Sequence, residues 1–141
     1  MDLEQKKMLE EMKKKRGFIL DFHKILIEED PEFLKRYEEL ISTAYARQRS
    51  LSKKVKELVF IAALTALQAD KSHIGAHMKV AIENGASKQE ILEVLECIFP
   101  PCGVLRFMNG LDAFKQTVKT NRAQNTQELR KANKQKLSKE G

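Results

Sequence analysis

Lys54–Phe114 reads KVKELVFIAALTALQADKSHIGAHMKVAIENGASKQEILEVLECIFPPCGVLRFMNGLDAF. Its apolar residues recur with helical period, and no run alternates with strand period between turn residues. Val55, Leu58, Val59, Phe60, Ile61, Ala62, Ala63, Leu64, Ala66 and Leu67 predict a helix from Lys53 to about Gln68 that is apolar nearly all round. Such a helix lies at the centre of a bundle or between subunits. Ser52 is placed to cap it, and one charge, Glu57, lies against the apolar run. A second helix spans about Asp70 to Asn84 and stops at Gly85, a left-handed cap. Ser87-Lys-Gln-Glu90 has capping-box spacing and opens a helix that buries Ile91, Val94, Leu95 and Ile98. Pro100-Pro101 is expected to end it, since neither residue can donate an amide. Gly103 restarts the chain, and a last helix runs from about Val104 past Val118.

Upstream, Ala46 to Leu51 reads as a polar loop. Asp30-Pro31 signals a helix start, because Asp caps free amides and Pro presets the first helical φ. Phe33, Leu34, Tyr37, Leu40 and Ile41 follow as an amphipathic stripe. Asp2 to Arg16 is rich in helix formers and is interrupted by Gly17. Phe18, Ile19, Phe22, Ile25 and Leu26 then fit one helix face. Met8, Met12, Met78 and Met108 read as core or interface filling. The sum is one all-α domain, a bundle of about six or seven helices. Residues 1–30 form a helical extension, 31–120 the main domain and 121–141 a basic tail.

With 141 residues, 42% of them apolar, the chain can bury one core. No run approaches the roughly 18–20 apolar residues of a membrane span. The first residues mix both charge signs and lack an apolar signal core, so cytoplasm is the expected location. The net charge of +6 is uneven: +2 over Met1–Arg16, +6 from Lys115 onward, and hence −2 between. The basic tail has no aromatic after Phe114 on which a base could stack, so nucleic acid is not an expected partner. It reads instead as a solvated helix end. Cys97 and Cys102 are too few for a disulfide scaffold.

The stretch from Val55-Lys56-Glu57-Leu58-Val59, through His77, Ala81, Gly85 and Glu90-Ile91, to Gly103 resembles the carboxymuconolactone decarboxylase and alkylhydroperoxidase D-like family over roughly Pro31 to Val118. The resemblance implies an oligomer (dimer, trimer or hexamer) and no cofactor or metal. In the family's peroxidase-like branch, a glutamate precedes Cys-x-x-Cys-x-x-x-His, and the cysteines cycle between dithiol and disulfide. Counting back from His77 puts Asp70 and His73 at those cysteine positions. Glu57 and His77 are kept, but without a thiolate that site has no nucleophile for a peroxide. The decarboxylase branch also lacks the pair, and the chain is more similar to it.

The residues also carry a reading of their own. At ~100° per residue, Asp70, His73 and His77 fall on one helix face beside Val80 and Ala81. A carboxylate and two imidazoles beside apolar side chains suit acid–base chemistry on a small substrate. His77 is the expected acid and Glu57 its orienter or base, its titration expected to rise on burial. His73 or Lys71 is expected to hold an anionic substrate. His73-x-x-x-His77 with Asp70 or Glu57 also suits a divalent metal, and single helical histidines often only fill space. The expected function is therefore acid–base catalysis on a small organic acid or lactone. Alternatives are a thiol-dependent antioxidant using Cys97 and Cys102, and a non-catalytic binding protein of the same fold. Arg106 and Asn109 are placed where the last helix could bring them to a pocket.

Overall fold

The computed structural model describes residues 1–119, so the expected basic tail lies outside the described residues. Every regular element among the described residues is a helix, with no strand among them. The helices are α1 Leu3–Arg16, α2 Asp21–Glu29, α3 Pro31–Ile41, α4 Lys53–Ala66, α5 Lys71–Glu83, α6 Lys88–Cys102 and α7, residues 104–119. A π-helical turn, Ser42–Ala46, extends α3. Capping follows the sequence closely. Asp30 accepts from Phe33 N with Pro31 at the first position, Ser52 accepts from Val55 N, and Ser87 and Glu90 form a reciprocal box.

The main core lies where α4 packs on α5 and α6. Ile61, Ile74, Met78, Ala81, Ile91, Leu95 and Ala113 are fully buried there. Each large apolar side chain in such a position contributes about 1.5–3 kcal/mol. Arg106 and Asn109 donate to Ala66 O and Ala69 O at 2.6 and 3.1 Å and so brace α7 against the end of α4. A smaller cluster of Met12, Ile27 and Leu34 ties α1, α2 and α3 together, with Met8, Leu9, Ile19, Leu26 and Tyr37 around it.

Three local expectations are corrected. The helix expected to end at Pro100-Pro101 runs on to Cys102 and closes at Gly103, whose N–H bonds Phe99 O at 2.8 Å. The prolines occupy the last turn, where the two amide bonds they forgo are near the end of the ladder and the Gly103 N–H still closes the helix. Residues 18–20 are not on one face with Phe22 and Ile25. They precede α2, which turns Ile25 outward at 59% exposure and buries His23 and Ile27 instead. Ser42–Ala46 winds as a π turn, with Arg47 N bonding Ser42 O at 2.8 Å, before the expected loop begins.

Candidate functional site

Glu57 and His77 come together at the α4–α5 contact. Glu57 is 0% and His77 3% exposed, with His77 Nδ1 2.7 Å from Glu57 Oε2. The second carboxylate oxygen is occupied as well. Tyr45 Oη donates to Glu57 Oε1, and Lys53 Nζ lies 3.0 Å from the same oxygen. The ammonium has ion-pair distance without the approach of a directed hydrogen bond, and it also sits 3.6 Å from the Tyr45 ring centroid. Lys56 Nζ donates to Tyr45 O and Arg47 O at 2.9 and 2.6 Å and thereby fixes the π turn against α4.

This arrangement reverses one expectation. Burial does push the Glu57 carboxyl upward, but the hydrogen bonds from His77 and Tyr45 and the adjacent Lys53 ammonium outweigh it and hold the group below its ordinary value. Glu57 is therefore an ionised acceptor. An ionised carboxylate cannot donate, so His77 Nδ1 carries the proton that points at it, and Nε2 remains for other chemistry. Phe60 stacks on the His77 ring at 4.8 Å and 16°, and Phe18 meets it edge-on at 4.8 Å. The stacked and the edge-on phenyl rings together restrict the plane of the imidazole.

His77 lines a cavity of about 80 Å³ together with His73, Tyr45, Phe60, Phe18 and Arg16. A much larger cleft, about 690 Å³ between α1 and α3, is lined by Lys, Glu, Met and hydroxyl side chains with no imidazole. The smaller space is the candidate site, because both imidazoles line it. The His73 and His77 rings are 5.4 Å apart. Burial first, then the charges of His77 and Arg16, lower the His73 titration, so its neutral form is favoured.

Asp70 is not brought into this group. Its exposed carboxylate caps α5 by accepting from Ser72 N and Ser72 Oγ, and it reaches His73 through that residue's backbone and through its charge, which opposes the lowering of the His73 titration. Residues that cap a helix point along its axis, which a face argument based on periodicity misses. Lys71 also points away, 2.6 Å from Asp112. Among the described residues no three His, Cys, Asp or Glu side chains gather as a metal-holding group.

Cys97 is exposed and Cys102 partly buried, and both are free. They lie on one continuous helix five residues apart, which turns them ~140° from each other and separates them by ~7.5 Å along the axis. Disulfide geometry needs Cβ atoms within about 3.5–4.5 Å. Neither cysteine is among the residues that line the histidine cavity.

Arg16, Phe18, Tyr45, Lys53 and Phe60 were not singled out as site residues in the sequence. One signal was readable: Lys53 precedes Glu57 by four residues, the spacing of a helical ion pair. Arg16 and Phe18 lie far from His77 in sequence, and nothing local announces them. Arg16 ends α1, where Gly17 at φ +94° turns the chain so that Phe18 meets His77.

No curated protein matches the chain. A family model for the carboxymuconolactone decarboxylase family matches residues 31–116, which is more than half of the chain and runs from the start of α3 into α7. Glu57 and His77 fall inside the matched segment, whereas Arg16 and Phe18 precede it. The chain belongs to the carboxymuconolactone decarboxylase family.

Proposed function

We propose that this protein is a cofactor-independent acid–base enzyme, similar to a carboxy-lyase, that acts on a small organic acid or lactone. The observation that carries the reading is the 2.7 Å contact between His77 Nδ1 and an ionised, fully buried Glu57, with His77 also on a cavity wall. Glu57 fixes the tautomer and the ring direction, and compensates the charge when His77 becomes imidazolium. In a decarboxylation, the bond from the substrate carbon to its carboxylate breaks and carbon dioxide leaves. The electron pair remains as an enolate conjugated to the neighbouring carbonyl. Imidazolium His77 delivers its Nε2 proton to that carbon and regains a proton from water. His73 stands on the same wall as a neutral hydrogen-bonding group.

The chain is further proposed to work as a homo-oligomer. Val55, Val59 and Leu67 on or beside α4 are 37%, 56% and 78% exposed, and Leu105 and Met108 on α7 are 70% and 55% exposed. Apolar side chains spaced along helices in this way suit burial against a second copy. No described helix is long and apolar enough to cross a membrane.

The test is carbon dioxide release from a panel of small lactone acids and 3-oxo acids, wild type against His77→Asn. A loss of about a hundredfold or more is expected on removing a general acid. Equal turnover by the variant, or no release from any member of the panel, would sink the proposal.

A further inference from the structure

Lysine ordinarily lays its stem along the protein and keeps its ammonium in water. Lys53 is inverted: 26% of its side chain is exposed, yet Nζ is buried and makes no directed hydrogen bond. The nitrogen stands 3.0 Å from Glu57 Oε1 and 3.6 Å from the centre of the Tyr45 ring. Burial is the first influence on its titration and lowers it, and Glu57 opposes that lowering. A buried ammonium is costly unless it meets an opposite charge. The charge that Lys53 meets is the carboxylate that holds His77.

The other groups that touch Glu57 bring no standing charge. Tyr45 Oη donates to Oε1 as a neutral phenol, whose proton burial and Glu57 hold firmly. His77 Nδ1 donates to Oε2 from an imidazole. Charges on the elements packed around them are committed elsewhere. On α4, Lys54 pairs with Glu90 of α6 at 2.8 Å, and Lys56 holds Tyr45 O and Arg47 O. On α1, Arg16 pairs with Glu38 of α3 and is the smallest influence at Lys53 and Tyr45. On α5, burial above all favours the neutral form of His73. Among the described residues, Lys53 is thus the cation in contact with Glu57 while His77 is neutral.

We infer that Lys53 is a positioning residue of this site: its ammonium reserves Glu57 as a carboxylate, so that the next proton taken up by the Glu57–His77 pair rests on the imidazole. Such a pair can hold that proton in two ways, as imidazolium beside carboxylate or as neutral imidazole beside carboxylic acid. Lys53 touches the oxygen opposite His77, so its charge acts more strongly on the carboxylate than on the ring and favours the first way. Tyr45 adds direction at the same oxygen without adding charge. The first state presents an acidic proton on Nε2, the nitrogen turned from Glu57; in the second the ring is neutral and is a poor proton source. This deepens the acid–base reading by naming what keeps His77 the proton carrier, and rests on that reading only for the use made of the proton.

The experiment uses the full chain labelled with heavy carbon and nitrogen. Magnetic resonance follows the Glu57 carboxyl carbon and the His77 ring nitrogens as pH is lowered from 8. In the wild type, the first proton taken up should make the imidazole doubly protonated while the carboxyl signal stays in its ionised range. Lys53→Met keeps the stem and removes the charge. Its Glu57 carboxyl midpoint should rise by about one pH unit or more, so that the carboxyl shares the first proton. Lys53→Arg should restore the wild-type order. A wild-type carboxyl that protonates first, or a wild-type pair that takes up no proton before the chain unfolds, would overturn the inference. So would a Lys53→Met carboxyl that stays ionised as in the wild type, or a Lys53→Arg chain that behaves like Lys53→Met. If Lys53→Met does not fold, the wild-type order and Lys53→Arg decide. Imidazole-first protonation in a chain that turns over no lactone or acid keeps the role of Lys53 and removes the enzyme. Turnover with a carboxyl that protonates first removes the role of Lys53 alone.

Discussion

Ile61, Ile74, Met78, Ile91 and Leu95, where α4 packs on α5 and α6, form a buried cluster of apolar side chains. The layer made by α1, α2 and α3 has only Met12, Ile27 and Leu34 as its apolar centre, and interleaves them with the buried Arg16 and His23. The first region is held chiefly by area removed from water, which is non-directional and tolerant of volume-conserving change. The second depends on donors and acceptors at set distances, and fails when one partner is lost. The cavity lies at the seam: Glu57 and His77 belong to the tolerant region, Arg16 and Phe18 to the exacting one.

Four changes break or sharpen that contrast. The largest effect is expected from Glu57→Ala, which places an exacting defect inside the tolerant region. It leaves the Lys53 ammonium against Tyr45 without its counter-charge and should cost about 3–5 kcal/mol in urea denaturation. A cost below 1 kcal/mol would show that the carboxylate is not needed there.

Leu95→Ala and Leu34→Ala compare one truncation in both regions, each expected to cost about 2–5 kcal/mol. Hydrogen exchange distinguishes them. Leu34→Ala should release the amides of α1 and α2 while α4 to α6 keep their protection, whereas Leu95→Ala should lower protection everywhere. Identical exchange patterns would dissolve the division into two regions.

A smaller effect follows pH. Burial, then the Arg16 charge, lowers His23 from 6.5 to about 4. Between those values the unfolded chain takes a proton that the folded chain refuses. Stability is therefore complete above pH 6.5 and is lost as pH falls toward 4, by an amount on the order of 2–3 kcal/mol. Glu57, also held below its ordinary value, adds to the loss further down the acid side. Urea midpoints at pH 7.5, 6 and 5 should decline in the wild type and decline less in His23→Asn; parallel curves would remove His23 as the cause.

The smallest of the four is Gly17→Ala, at about 1–3 kcal/mol. It strains a left-handed residue, and the new Cβ would stand 2.8 Å from Val80 Cγ2. Thermal melting measures the cost, and the His77 ring signal should move with it because Phe18 follows directly. An unmoved ring signal would separate the turn from the site.

The tolerant region was the legible one. Its helices announce themselves through local chemistry: Ser52, Ser87 with Glu90, and Gly85 all act at the ends they mark. Glu57 stood out as a charge in an apolar run, and His77 through its spacing from Gly85 and Glu90. The exacting region was less legible because its order is made by distant partners. Arg16 pairs with Glu38, 22 residues away. Phe22 and Ile25 looked like core by period, yet His23 and Ile27 took the inward positions. The titration of Glu57 is less legible for a related reason: its burial is a local property, but its two donors arrive from α5 and the π turn, and only the Lys53 charge comes from its own helix.

That π turn has a consequence for how the chain can change in length. A turn with i to i+5 bonding accommodates about one residue more than the α-helical path. Tyr45 reaches Glu57 through this surplus, so its place is set by counting along the backbone more than by the identity of its neighbours. Removing any one residue from Ser42 to Thr43 would let the segment relax to a plain helix and swing the phenol ~100° round the axis. Substitutions at those same positions would leave it where it is. Within this protein, then, a deletion that spares every site residue is a sharper injury to the site than many replacements made beside it.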